Sequence, residues 1–184
     1  MAHGEQSRGL YDPRFEHDAC GVAFVATLRG RAGRDIVEAG LTALANLDHR
    51  GAVGAEENSG DGAGILTQLP HEFFAAVTGL DLPDPGGYAA GIAFLPSDGA
   101  ERARAVGRIE AIVAEEGLEV LGWRDVPFDD SMIGRMARDC MPVFRQLFLK
   151  APDGARGLDL ERRAFRVRKR SESALGVYFA SLSS

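Results

Sequence analysis

The chain has 184 residues, 45% hydrophobic and 26% charged, with a formal net charge of −6. That composition fits a globular domain with a real core and excludes a disordered tail. The acidic balance argues against nucleic-acid binding, which rests on a basic surface. No apolar run reaches the roughly 20 residues that span a bilayer. The leader, residues 1–19, lacks the apolar stretch of about 7–15 residues found in secretory signals. The expected compartment is the cytoplasm, where Cys20 and Cys140 are expected as free thiols.

The leader mixes Glu5, Arg8, Asp12, Arg14, Glu16 and Asp18. "CGVAFVATL", residues 20–28, predicts a strand buried on both faces, because apolar side chains fill both alternation sets. Val37, Leu41, Leu44 and Leu47 predict a helix over 35–48 that Asp35 could cap. "HRGAVGAEENSGDGAG", residues 49–64, reads as a glycine-rich polar loop leading into a second strand, "GILTQLP", which Pro70 ends.

"HEFFAAVTG" predicts a short helix and "YAAGIAFLP", 88–96, a strand. Residues 98–117 carry the clearest helical signal. Asp98 and Glu101 resemble a capping box, Val106, Ile109 and Val113 form an apolar stripe, and Gly117 suits the C′ position. Strands follow in "LEVLGWRDVP" and "PVFRQLFL" (142–149), then a basic helix over 160–170 and a last strand in "GVYFASLS". About six strands and four helices in this order predict a layered α/β or α+β domain. The chain ends at Ser184 inside a β-like run, as if cut there.

Cys20 admits three readings. It could be a small buried apolar residue. It could join His17 in a metal site completed by His49, His71 or Cys140, although the paired spacing of zinc ligands is missing and no metal is expected. It could be a nucleophile, which needs a base. His49 is as suited to a structural hydrogen bond as to that role. Cleavage between Ala19 and Cys20 would supply another base, a free α-amine with a pKa of about 7.7–8.0 beside the thiol.

"HDACGVAFVA", "ALANLDHRGAVGAEENSGDGAGILTQLPHEFF", "PVFRQLFL" and "LERRAFRVRKRSE…YFASLSS" occur in order from about Tyr11 to Ser184. In this arrangement the chain resembles the N-terminal class II glutamine amidotransferase domain of the glutamate synthase family. The resemblance implies an α+β, N-terminal-nucleophile hydrolase fold, an αββα sandwich incomplete at its C-terminal side. It implies a propeptide, residues 1–19, ahead of the first part of the amidotransferase domain, residues 20–184.

By the same resemblance Cys20 is nucleophile and, once freed, base. Ala19 and Cys20 flank the processing site. Arg50 of "HRGA" lies beside the catalytic cysteine and holds the thiolate or the substrate; an ion pair with Asp48, Glu56 or Asp61 is the structural alternative. Gly51, Gly60, Asp61, Gly62 and Gly64 look architectural, the glycines of "GDGAG" allowing positive φ and close strand approach. Ala23 stands where the family more often has glycine. The family's oxyanion-hole and substrate-gripping groups are implied beyond Ser184, so these 184 residues alone are expected not to hydrolyse glutamine.

The implied partners are glutamine, a downstream flavin domain of the same chain and a small electron-transfer subunit, with neither nucleic acid nor membrane. No cofactor is expected in this segment; FMN and an iron–sulfur cluster are implied for the full-length enzyme. Two alternatives stand beside this. One is a class II amidotransferase with another ammonia acceptor. The other is a non-catalytic nucleotide-binding module, weakened because "SGDGAG" runs toward a strand and not into a helix N-terminus.

Overall fold

A computed structural model describes residues 21–51, 56, 60 and 62–184, with the backbone only of Arg50. The chain divides into two compact units, Met1–Leu66 and Thr67–Ser184.

In the first unit, helix α1 spans Arg34–Asn46 and a 3₁₀ turn follows at Asp48–Arg50. The helix starts on Gly33 without a side-chain cap, and Asp35 sits in its first turn. This corrects the expected cap: Asp35 lies inside the helix, where its carboxylate meets the positive end of the helix dipole. Ile65 packs on α1 at Gly40, where an added Cβ would stand 2.9 Å from Ile65 Cδ1.

Among the described residues, the two strands expected at 20–28 and 64–70 do not form. Residues 21–28 and 64–70 have no regular strand structure, and Val22, Phe24 and Leu28 are 86%, 90% and 104% exposed. Alternation predicts which side chains want cover, but a strand also needs a neighbour to take its backbone N–H and C=O groups. No described strand pairs with either segment.

The second unit is built on a four-stranded antiparallel sheet in the order β2-β3-β1-β4. Helix α2 (His71–Thr78) precedes β1 (Tyr88–Leu95); α3 (Gly99–Glu115), β2 (Glu119–Asp125), the short α4 (Arg135–Asp139), β3 (Val143–Lys150), α5 (Gly157–Leu175) and β4 (Tyr178–Phe179) follow. The capping signal at α3 is as expected: Asp98 Oδ1 accepts from the Glu101 amide at 2.8 Å, and Gly117 takes a φ of +70° just past the C-cap. Helix α5 extends beyond the expected basic stretch at both ends. It ends at Gly176 in the left-handed conformation.

Strand alternation assigns the two sheet faces. Ala89, Ala93 and Leu95 of β1 and Leu147 and Leu149 of β3 turn to one core, closed by Ile109, Ile112 and Val113 of α3 and Leu160, Ala164 and Val167 of α5. Tyr88, Ala90 and Phe148 turn to a smaller cluster with Phe74 of α2. Beside that cluster, β2 shifts register between Val120 and Gly122, and Leu80 packs so close to Gly122 that a Cβ there would lie 2.6 Å from its Cδ2.

Two ties hold α3 and α5 to their surroundings. Glu116, just past α3, accepts from Arg166 and Arg170, and Glu115 accepts from Arg170 and Arg108. The Trp123 indole donates to Glu110 Oε1 at 2.9 Å, joining β2 to α3. Among the described residues no helix is long and apolar enough to cross a membrane.

Candidate active site

The glycine-rich loop leaves α1 through a tight local turn. The amide of Gly51 donates to the carbonyl of Asp48 at 3.0 Å, closing the 3₁₀ turn that carries Arg50. His49 Nδ1 lies 2.9 Å from the carbonyl of Asn46. That carbonyl can only accept, so Nδ1 carries the proton and the ring serves the turn. Of the two roles open to His49, the geometry fits the structural one.

The glycines behave differently from one another. Gly51 is extended at φ −78° and ψ 148°, and a Cβ there would sit 3.3 Å from the Asp48 carbonyl oxygen. This is a close approach without a positive φ. Gly62 and Gly64 have no positive φ, and among the described residues nothing lies within 4 Å of a Cβ added at either. The positive φ and close strand approach expected of them are therefore corrected. Both glycines are exposed and lie in no described helix or strand. Gly60 is exposed. Ala19, Cys20 and Asp61 lie outside the described residues, as does the side chain of Arg50.

His17 and Cys20, the core of the metal reading, lie outside the described residues. Among the described residues no three His, Cys, Asp or Glu side chains converge as ligands. His71 Nδ1 instead lies 3.3 Å from the hydroxyl of Tyr88, whose burial pushes its pKa above the ordinary 10.0. Cys140 is an exposed free thiol whose Sγ donates to the carbonyls of Met136 and Ala137. Residues 62–70 contain no helix, and α2 begins only at His71, behind Pro70.

The 3₁₀ turn thus carries the backbone of Arg50 to the start of the glycine-rich loop, 30 residues after Cys20 in the sequence. A sequence model of the family described as "Glutamine amidotransferases class-II" matches residues 20–184. The chain belongs to the class II glutamine amidotransferases.

The match begins at Cys20 and runs to Ser184. The chain is 41% identical over 186 residues to the glutamate synthase [NADPH] large chain of Bacillus subtilis (strain 168), covering 97% of this chain and 12% of that one. It is 40% identical over 181 residues to the chloroplastic ferredoxin-dependent glutamate synthase of Oryza sativa subsp. japonica, covering 92% and 11%. With the glutamate synthase [NADH] of Saccharomyces cerevisiae (strain ATCC 204508 / S288c) it shares 42% identity over 150 residues, covering 77% and 7%. The chain thus spans about a tenth of the length of these curated relatives. The comparisons answer the question that composition left open between an amidotransferase and a nucleotide-binding module.

Two features of the described residues had only a faint signal in the sequence. Phe94, Phe144, Phe128 and Tyr178 form a row of edge-on ring contacts at 5.1, 5.7 and 5.2 Å on the sheet face that α2 covers at its other end. Arg124 and Gln146 pair across β2 and β3 on the same face. The alternation Phe144, Gln146, Phe148 in "FRQLFL" could have flagged a face both aromatic and polar.

Proposed function

We propose that this chain is the glutamine-hydrolysing part of a glutamate synthase and that Cys20 is its nucleophile, exposed by removal of residues 1–19. The single observation that carries the reading is the family match, which begins at Cys20 itself. Freed at its N-terminus, Cys20 would hold thiol and amine on one residue. With a pKa of about 7.7–8.0, the amine is partly uncharged at neutral pH and can take the thiol proton.

The sulfur then attacks the side-chain amide carbon of glutamine. The proton passes to the amide nitrogen, the C–N bond breaks, and ammonia leaves a glutamyl thioester. Water cleaves that thioester, releasing glutamate and restoring the thiol. Arg50, carried to the loop mouth by its 3₁₀ turn, would hold the thiolate or a polar group of the substrate.

We further propose the αββα sandwich of N-terminal-nucleophile hydrolases. The described sheet supports this reading: α3 and α5 cover one face, while the row of Phe94, Phe144, Phe128 and Tyr178 offers the other face an apolar surface for a second sheet.

In the full-length protein the ammonia would aminate a 2-oxo acid, with FMN and an iron–sulfur cluster supplying electron transfer. Of the described residues only Cys140 bears a free thiol, whereas a cluster takes several cysteine ligands. These residues do not fit a cluster, and both groups are assigned to the remaining length of the protein.

Intact-mass measurement and N-terminal sequencing of the purified full-length protein test the processing step. A mature chain beginning at Cys20 is expected. Full glutamine-dependent activity in a chain still beginning at Met1 or Ala2 overturns it.

A further inference from the structure

The sheet face opposite α3 and α5 changes character along β3. Phe148 is buried under α2 against Phe74 and Tyr88, whereas Phe144 belongs to the aromatic row at the other end. Between them lies Gln146, in register with Ile92 of β1 and Arg124 of β2. Gln146 is only 8% exposed, and its Oε1 accepts from Arg124 Nη1 at 3.3 Å. The guanidinium carbon of Arg124 stands 5.8 Å from the centre of the Phe73 ring.

Arg124 is set apart from the other half-buried arginines among the described residues. Arg145 pairs with Asp125, Arg163 with Asp153 and Asp159, Arg168 with Glu172, and Arg170 with Glu115 and Glu116. Arg102 donates to the carbonyls of Pro96 and Ser97. The partner of Arg124 is a neutral amide and an aromatic face, and no described carboxylate stands within ion-pairing distance of it.

A guanidinium presents five N–H donors in a planar fork and binds carboxylates through two parallel hydrogen bonds. Apolar surroundings strengthen such a pair and penalise the charge left alone. With its Oε1 accepting from Arg124, the Gln146 amide keeps two N–H donors of its own. The donors therefore outnumber the acceptors around a single positive charge, which matches a monoanion better than a phosphate dianion.

We propose that Arg124 and Gln146 form a carboxylate-binding fork on this face of the sheet, with Phe73 holding the guanidinium in place. The carboxylate is either an Asp or Glu side chain from elsewhere in the full-length protein or a free carboxylate such as an amino acid; the chemistry of capture is the same. The assignment is independent of the role of Cys20.

The test uses the full-length protein carrying Arg124→Lys, treated with a water-soluble carbodiimide in the presence and absence of L-glutamate and mapped by mass spectrometry. The substitution keeps the charge and places a primary amine at the fork, and the reagent joins amines to carboxylates in contact. The pairs Lys150–Glu119 at 3.5 Å and Lys169–Glu172 at 2.7 Å are internal controls. An amide between position 124 and an Asp or Glu of the same protein supports a built-in partner, and a glutamate adduct at position 124 supports a free one.

In the unsubstituted protein, labelling of Arg124 by a dicarbonyl reagent is expected to be at least tenfold slower than that of exposed Arg162, or to slow by that factor as glutamate is added. If position 124 forms neither product while the controls couple, the proposal is overturned. If the variant does not fold, the labelling decides alone: a rate equal to that of Arg162 at every glutamate concentration overturns it.

Discussion

A methyl group on Gly91 would lie 2.1 Å from the carbonyl oxygen of Ser181. The neighbouring residues explain why the backbones come so close: Ala90 and Ser183 exchange N–H···O bonds of 2.9 and 3.2 Å, drawing the last residues across β1. Both contacting groups are backbone, so neither can rotate aside. Gly91→Ala is expected to displace residues 181–184 and to destabilise the chain by about 1–3 kcal/mol. Denaturant midpoints read the loss, and hydrogen exchange at the Ala90 and Ser183 amides shows whether it is localised there.

Leu147 is fully buried on β3, between β1 and β2 and under α3 and α5. Its neighbours come from several elements, so the core cannot collapse into the space its side chain leaves. Leu147→Ala is expected to cost about 2–5 kcal/mol, measured by equilibrium denaturation at unchanged secondary structure. A loss below 1 kcal/mol would mean that the site relaxes freely.

The clasp between α3 and α5 gives stability a defined pH dependence. Hydrogen bonds first from Arg166 and then from Arg170, with both positive charges, hold the Glu116 carboxyl below its ordinary value of 4.5, against the opposing effect of burial. A depressed carboxylate pKa means that the folded state releases its proton more readily than the unfolded one. The stabilisation is therefore complete above 4.5 and is lost as pH falls through the lower folded value. The stability gap between the unsubstituted chain and Glu116→Gln is expected to be full at neutral pH and to narrow below pH 4.5. A gap independent of pH would show that the carboxylate's charge does not matter.

Arg50 separates its two proposed jobs kinetically. If it grips the substrate alike in ground and transition states, Arg50→Lys in the full-length protein raises the KM for glutamine at constant kcat. If it steadies the thiolate, kcat falls instead. Loss of a charge-assisted hydrogen bond worth about 1.5–3 kcal/mol corresponds to a drop of roughly 10- to 150-fold in kcat/KM. Unchanged kinetics would assign Arg50 to the architecture of the loop.

Where local chemistry decides the structure, the sequence was readable. The α3 cap at Asp98, its stop at Gly117 and the three long strands follow from capping, positive φ and alternation, each set by a few neighbouring residues. The short α4 was missed because five residues around Arg135–Asp139 carry too little periodicity to register. The runs 21–28 and 64–70 failed for a different reason: their pattern is that of strands, but pairing is decided by a partner at long range, and no described strand supplies one. Motif order around Cys20 and Arg50 pointed to the candidate site, but Cys20 and the side chain of Arg50 lie outside the described residues. The Arg124–Gln146 fork was not, because its members lie 22 residues apart and meet only through the β2–β3 register.

The central claim is that sulfur at position 20 opens glutamine. Cys20→Ala in the full-length protein, assayed in parallel with glutamine and with free ammonium as nitrogen source, tests it most directly. Glutamine-dependent glutamate formation is expected to vanish while the ammonium-dependent reaction continues, because only the release of ammonia needs the thiol. Glutamine-dependent turnover persisting at an undiminished rate would contradict the account.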